Sequence, residues 1–196
     1  MTAMQRRTLL VSMAAAVAVP TGSLAVSPAA AQAMVEDLVD DVNEVIASGA
    51  SEAVMITRFG EILDNYADVP TIARYCLGPD ARQASASQMA QYTSAFQGYI
   101  ASKYGRRFRE FVGGEVQVVG AKTVKSWVEV ETTVSLRNRS PLRMDWHVSD
   151  RSGRNAFFNF IIEGVNMLLT EREEIGAMLD RRRGSIDALI SDMKDV

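Results

Sequence analysis

The sequence predicts an α+β domain in which a mainly helical first half covers a four-stranded antiparallel sheet. Two patterns support this class. From residue 34 to residue 113, apolar side chains recur every three or four positions, as they do along one face of an α-helix. From residue 116 to residue 162 they alternate with polar ones, and short turns separate the alternating runs, which favours a meander of consecutive strands.

Four helices are predicted in the first half. The first two cover residues 34–48 and 51–66, with a glycine after the first and a serine cap before the second. A short third helix spans residues 71–77. In the long fourth helix, Ser85 and Gln88 have the spacing of a capping box, so we expect the helix to begin there.

The second half contains the predicted strands and ends in helices. In the last strand, the two-residue period places Phe158, Phe160 and Ile162 on one face, and Glu163-Gly164 then joins the strand directly to an amphipathic helix. Because one face of the sheet is apolar and only the helices can cover it, we expect a curved sheet with either a filled core or an apolar cavity beneath the helices. The four strands are residues 116–120, 124–136, 142–148 and 157–162.

The N-terminus is typical of an export signal. Arg6 and Arg7 precede a small apolar run, and Ala31-Gln32-Ala33 has the small-x-small form of a cleavage site. The arginine pair followed by x-Leu-Leu favours the twin-arginine route, with general secretion as the alternative. We therefore expect residues 1–33 to be removed, leaving residues 34–196 as one domain.

The composition excludes several classes of protein. The 196-residue chain carries a formal net charge of −3, and this mildly acidic balance disfavours nucleic acid as a partner. No segment after the predicted signal has the roughly 18 apolar residues of a membrane span, so stable membrane insertion is not expected. Cys76 is the only cysteine, which excludes an intrachain disulfide and predicts a buried core thiol.

Few residues have the chemistry of an active site. His147, the only histidine, could form an acid–base pair with Asp145 or lie solvated on the polar face of a strand. Glu163 could be a general base in a pocket or a carboxylate favoured by the dipole at the start of a helix. The sequence contains no nucleotide-binding or nucleophile motif, and one histidine with one cysteine makes a poor metal site. We therefore expect no catalytic residue, metal or cofactor.

Two segments resemble a known family. Residues 66–78, YADVPTIARYCLG, resemble the Y-x-D-x-x-x-I-A-R-x-x-L-G segment of the MlaC family of periplasmic phospholipid-binding proteins, also called toluene-tolerance proteins. Residues 162–167, IEGVNM, are similar to the V-E-G-V-S-L of that family. The resemblance spans nearly the whole mature chain in the same order and spacing. Three residues depart from the family pattern, since Ala81 stands in place of a tryptophan, Asn159 of an aspartate and Asn166 of a serine.

The resemblance implies a periplasmic carrier, expected to be a monomer, that holds phospholipid as cargo. It would exchange lipid with an inner-membrane MCE-domain protein of an ABC transporter and with an outer-membrane lipoprotein complex, and so support outer-membrane lipid asymmetry. Three alternatives stay open. The protein could carry a hopanoid-like ligand, it could be a small-molecule enzyme of a cone-shaped α+β fold using Asp145 and His147, or it could be an interaction protein with a filled core.

The residues expected to contact lipid tails have side chains on faces directed at the space between sheet and helices. Arg74, Arg82 and Arg106 are expected to contact the head group or a partner protein. The expected tail contacts are Ile72, Phe96, Tyr99, Ile100, Tyr104, Trp127, Trp146, Phe158, Phe160, Val165 and Leu168.

Overall fold

The computed structural model describes residues 26–137 and 139–195 and confirms the α+β class. Two short 3₁₀ helices, Gly78–Arg82 and Phe108–Phe111, flank the longest helix. The other elements, in chain order, are α1 (Pro28–Ala47), α2 (Glu52–Tyr66), α3 (Val69–Leu77), α4 (Ala86–Arg107), β1 (Glu115–Val124), β2 (Trp127–Ser135), β3 (Leu142–Ser149), β4 (Ala156–Ile162), β5 (Val165–Asn166), α5 (Met167–Arg181) and α6 (Ile186–Lys194).

Helix α1 begins earlier than the sequence predicts. Ser27 caps it by accepting a hydrogen bond of 3.2 Å from the backbone N–H of Ala30, and Pro28 occupies the first helical position. Ala31 is fully buried in the core. The last residues of the predicted signal are therefore part of α1, while residues 1–25 lie outside the described residues. Cleavage after Ala33 stays a prediction.

Local hydrogen bonds fix the beginnings of α3 and α4. The Asp68 side chain accepts a hydrogen bond from the backbone N–H of Thr71 and caps α3. The predicted capping box of α4 is confirmed, because Ser85 and Gln88 each accept a 3.1 Å hydrogen bond from the other's backbone N–H. Gly105 allows α4 to lie directly against α2, since a Cβ at this position would come within 2.6 Å of the backbone of α2.

The sheet is antiparallel with strand order β1-β2-β3-β4-β5, so the predicted meander is confirmed but the predicted count of four strands is wrong. The fifth strand arises at Glu163-Gly164. Both residues have positive φ, +47° and +80°, and form the two-residue turn of a hairpin that pairs Ile162 with Val165. The predicted direct joint between strand and helix is therefore a hairpin followed by α5.

The first hairpin also differs from the prediction. The strand expected at residues 124–136 begins only at Trp127, and β1 extends to Val124. Lys125 has a φ of +54°, so Lys125 and Ser126 form a tight turn. The turn lacks the glycine or asparagine that usually marks such a site, which explains why the alternation of apolar residues concealed it.

A β-bulge in β4 reverses part of the predicted side-chain pattern. Trp146 pairs with Phe160 and Val148 pairs with Phe157, with a register shift between them. Phe157 and Phe160 therefore lie on the same face, and Phe158 points to the other. The expectation that Phe158 shares a face with Phe160 is wrong, because the extra residue reverses the alternation beyond it.

The helices cover one face of the sheet, and α1 also reaches its free edge. The side-chain amide of Asn43 donates a 2.9 Å hydrogen bond to the backbone carbonyl of Val116 in β1 and accepts one of 2.9 Å from its N–H. Asn43 thus takes the place of a neighbouring strand residue. Within the described part of the chain, no helix is long and apolar enough to cross a membrane.

Candidate functional site: an apolar pocket between sheet and helices

An apolar pocket of about 470 Å³ lies between the sheet and the helices. Its size is within the range of small-molecule binding sites, roughly 300–1,000 Å³. One wall comes from α1 and α2, another from the inner face of β1–β4, and the rest from the end of α4 and the β4–β5 hairpin. The lining residues are Leu38, Val39, Val42, Ile46, Phe59, Ile62, Tyr104, Arg107, Phe111, Val116, Val134, Met144, Trp146, Phe157, Phe160, Ile162, Glu163, Val165 and Met167.

Three of these lining residues are exposed to solvent, namely Arg107, Glu163 and Val165, and they mark the mouth of the pocket. Val165 is 54% exposed and lies on β5, an edge strand of the sheet. The Glu163 carboxylate accepts a hydrogen bond from the backbone N–H of Arg143, and the Glu163 N–H donates one of 3.0 Å to the Arg143 carbonyl. The mouth thus lies between the end of α4 and a turn held firmly to β3.

The inner end of the pocket meets a second, narrow space of about 40 Å³. The Tyr104 and Phe160 rings are in edge contact, with centroids 6.0 Å apart, and both border both spaces. Phe59, Phe157 and Met167 are also shared. The two spaces are therefore neighbouring parts of one apolar interior, separated by aromatic side chains.

A buried polar network adjoins this narrow space. Glu171 is only 4% exposed and accepts hydrogen bonds from Tyr104 Oη at 2.5 Å and from Lys103 Nζ at 2.8 Å. Lys103 also binds Glu174 at 2.5 Å, and the Tyr99 hydroxyl donates to Glu174. Burial and the hydrogen bonds to these carboxylates raise the pKa of both phenols well above the ordinary range. The tyrosines thus remain donors, and each charged group of the network has a partner.

The structure divides the residues expected to contact lipid tails into three groups. Four line the large pocket, namely Tyr104, Trp146, Phe160 and Val165. Five more border the narrow space, namely Ile72, Phe96, Ile100, Phe158 and Leu168. Tyr99 and Trp127 line neither space. Trp127 lies on the outer face of the sheet, where its ring packs against Phe158, which contacts both this face and the narrow space from its position at the bulge in β4.

None of the arginines expected at the head group borders the pocket. Arg74, Arg82 and Arg106 are exposed elsewhere, and Arg106 Nε lies 3.7 Å from Glu52. The lining arginine is Arg107, which the sequence reasoning missed. Helix geometry could have found it, because Arg107 is three positions after Tyr104 and so lies on the same face of α4.

Other lining residues missed from the sequence belong to α1 and β4. The buried stripe of α1, including Leu38 and Val42, forms a wall of the pocket, although its sequence pattern is that of an ordinary core helix. Phe157 lies on the inner face because of the bulge in β4, which the alternation along the strand does not indicate. The ring of Trp146 packs against the rings of both Phe157 and Phe160, at centroid distances of 5.1 and 5.5 Å.

The proposed acid–base pair lies outside the pocket. Asp145 and His147 are on the outer face of the sheet, where Asp145 binds Arg143 at 3.0 Å. His147 packs against the Trp127 ring, and its Nε2 lies 3.6 Å from Glu129. Burial lowers the pKa of His147, although Glu129 opposes this shift. An enzyme that needs this pair inside the cavity does not fit the structure.

The side chains at two of the departures from the family pattern accept hydrogen bonds from the first turn of α5. Asn159 is buried, and its side-chain oxygen accepts a 3.0 Å hydrogen bond from the backbone N–H of Leu168. The Asn166 side chain accepts one of 3.1 Å from the N–H of Leu169. Both asparagines thus hold the beginning of α5, and Asn166 lines neither space. The third departure, Ala81, is buried in the 3₁₀ helix that follows α3.

The cysteine thiol, which is the remaining potentially reactive group, lies in the protein core. Cys76 is buried, and burial raises the pKa of its thiol to about 12, so the thiol is protonated and unreactive at neutral pH. Among the described residues, no group of three or more histidine, cysteine, aspartate or glutamate side chains could hold a metal ion.

Two comparisons with known proteins bear on the pocket. The family model described as MlaC protein matches residues 32–195. The fold is similar to the structure of a phospholipid-binding protein from Ralstonia solanacearum in complex with a phospholipid, with a TM-score of 0.68 and 20% sequence identity. That likeness covers 84% of this chain and 95% of the Ralstonia chain, and it shows a shared fold.

Proposed function

The chain belongs to the MlaC protein family, and on this basis we propose that it is a periplasmic carrier whose pocket holds the acyl chains of a phospholipid. The observation that carries this proposal is the apolar pocket of about 470 Å³ beneath the helices. The Ralstonia protein of the same fold, which is described as phospholipid-binding, supports the same ligand class.

Transfer energetics make such a carrier workable. At ~0.8 kcal/mol per methylene, removing two acyl chains of roughly 16 carbons from water is favourable by about 25 kcal/mol. A membrane supplies a similar amount, so transfer between membrane and protein is close to balance. Binding and release then need no catalytic residue, and the protein would act by sheltering lipid rather than by converting it.

We further propose that the carrier moves lipid between the outer membrane and an inner-membrane ABC transporter with an MCE-domain protein. An outer-membrane lipoprotein complex would be the second partner, and the pathway would support outer-membrane lipid asymmetry. The export signal predicted at residues 1–33 supports delivery to the periplasm. We propose that the carrier acts as a monomer.

The test is native mass spectrometry of the protein purified from the periplasm without detergent, followed by lipid extraction. We expect a mass increment that matches a glycerophospholipid. A protein that carries no lipid, and takes none from phospholipid vesicles, would refute the proposal. Recovery of a polycyclic hopanoid-like lipid instead would replace phospholipid with that cargo.

A further inference from the structure

We propose that the mouth of the pocket recognises a zwitterionic phospholipid head group, with Arg107 binding the phosphate and Glu163 binding the cationic amine. The inference rests on the proposed function, since it names the head group of the same cargo. It selects phosphatidylethanolamine over the anionic phosphatidylglycerol.

Arg107 is placed where a phosphate would leave the apolar interior. It is the last residue of α4 and lines the pocket from an exposed position. Within the described residues Arg107 forms no salt bridge, although its charge acts on the Glu174 carboxylate, whereas the adjacent Arg106 lies 3.7 Å from Glu52. A planar guanidinium can bind two phosphate oxygens at once, and binding at an exposed rim leaves the rest of the head group in water.

Glu163 supplies the opposite charge at the same mouth. Arg107 and Glu163 are the two charged residues among the described lining residues. Because the hairpin turn and the backbone of Arg143 hold the Glu163 carboxylate, its position is set before any ligand arrives. The bond to Arg143 uses one carboxylate oxygen, so the other can accept from an ammonium group.

The pair of charges discriminates between head groups by their net charge. The phosphodiester of phosphatidylethanolamine is anionic and its amine is cationic, so both lining charges find a partner. The glycerol of phosphatidylglycerol offers Glu163 no cation, and the lipid keeps a net negative charge beside a carboxylate. An exposed ion pair contributes up to about 1 kcal/mol, which corresponds to a preference of about three- to fivefold.

The experiment loads the delipidated protein from vesicles of equal phosphatidylethanolamine and phosphatidylglycerol, and it measures both bound lipids by mass spectrometry. We expect the wild type to favour the ethanolamine lipid about three- to fivefold. Glu163→Gln keeps an acceptor for the Arg143 N–H and should bring the ratio close to one. Arg107→Gln should lower loading of both lipids, and Arg107→Lys should restore part of it because the charge remains.

Two variants serve as matched controls. Arg106→Gln removes the adjacent arginine outside the pocket, and Glu173→Gln removes an exposed carboxylate of α5, so both should load like the wild type. An equal ratio in the wild type, or an unchanged ratio in Glu163→Gln, would overturn the head-group inference while leaving the carrier proposal intact. A wild type that loads neither lipid would overturn both.

Discussion

A carboxylate at the mouth of the pocket, introduced by Val165→Glu, should prevent lipid binding without unfolding the protein. Val165 is 54% exposed, so nearly half of its surface already packs against the protein and a bound acyl chain would cover the remainder. Covering that remainder contributes about 1 kcal/mol, roughly half the value for full burial of a valine.

The introduced charge adds a larger penalty. A carboxylate that loses its water to an acyl chain costs several kcal/mol, and Glu163 two positions away adds a like charge. Together with the lost valine contact, we expect lipid affinity to fall by at least about 3 kcal/mol, which is more than about a hundredfold. The free protein should lose only about 1 kcal/mol of stability, because the position is exposed and the strand is short.

The assay measures the lipid retained per protein after detergent-free purification, together with the thermal midpoint. Val119→Glu is the matched control, because Val119 is a strand valine, 60% exposed, that lines neither apolar space. We expect lipid in the control and none in Val165→Glu, with similar thermal midpoints. If Val165→Glu retains lipid at the wild-type ratio, Val165 is not at the entrance and the position of the mouth is wrong.

Three further predictions concern stability, each measured by urea denaturation. Glu171→Gln should cost about 2 kcal/mol because Lys103 loses one of its two carboxylate partners and keeps Glu174, whereas exposed Glu173→Gln should cost under about 0.5 kcal/mol; equal losses would contradict the network. The free energy of unfolding should fall as pH drops below about 6.5. The pKa of His147 is lowered in the folded protein, so the imidazole of the unfolded chain is protonated first, and this favours unfolding. His147→Gln should flatten this dependence of the unfolding free energy on pH. Asn43→Ala should cost about 2 kcal/mol through two lost hydrogen bonds, and a wild-type midpoint would refute this.

The elements that the sequence predicts well are those whose signal is local. The capping box at Ser85 and Gln88 depends on four consecutive residues, and it forms as expected. The bulge at Phe158 depends on how β4 pairs with β3, so alternation along one strand cannot reveal it. The two-residue strand β5 is too short to show any period, and its turn begins at a glutamate with positive φ.

The pocket could be predicted in part. Large side chains on the inner faces, such as Tyr104, Trp146 and Phe160, have a strong periodic signal and do line it. The space between them has no such signal, because a filled core and a hollow one need the same apolar residues. The wall formed by α1 was missed for the same reason, since its stripe of valines and leucines has the pattern of any buried helix face.

The contact between Asn43 and Val116 also affects self-association. Among the described residues, strand β1 pairs only with β2, so its other edge could add a strand from a second molecule. The Asn43 amide already occupies the outward N–H and C=O of Val116, which blocks that end of the edge. An exposed apolar pocket and an unpaired strand edge are two separate routes to aggregation. The asparagine on α1 restricts the second route, pairing at the edge of β1.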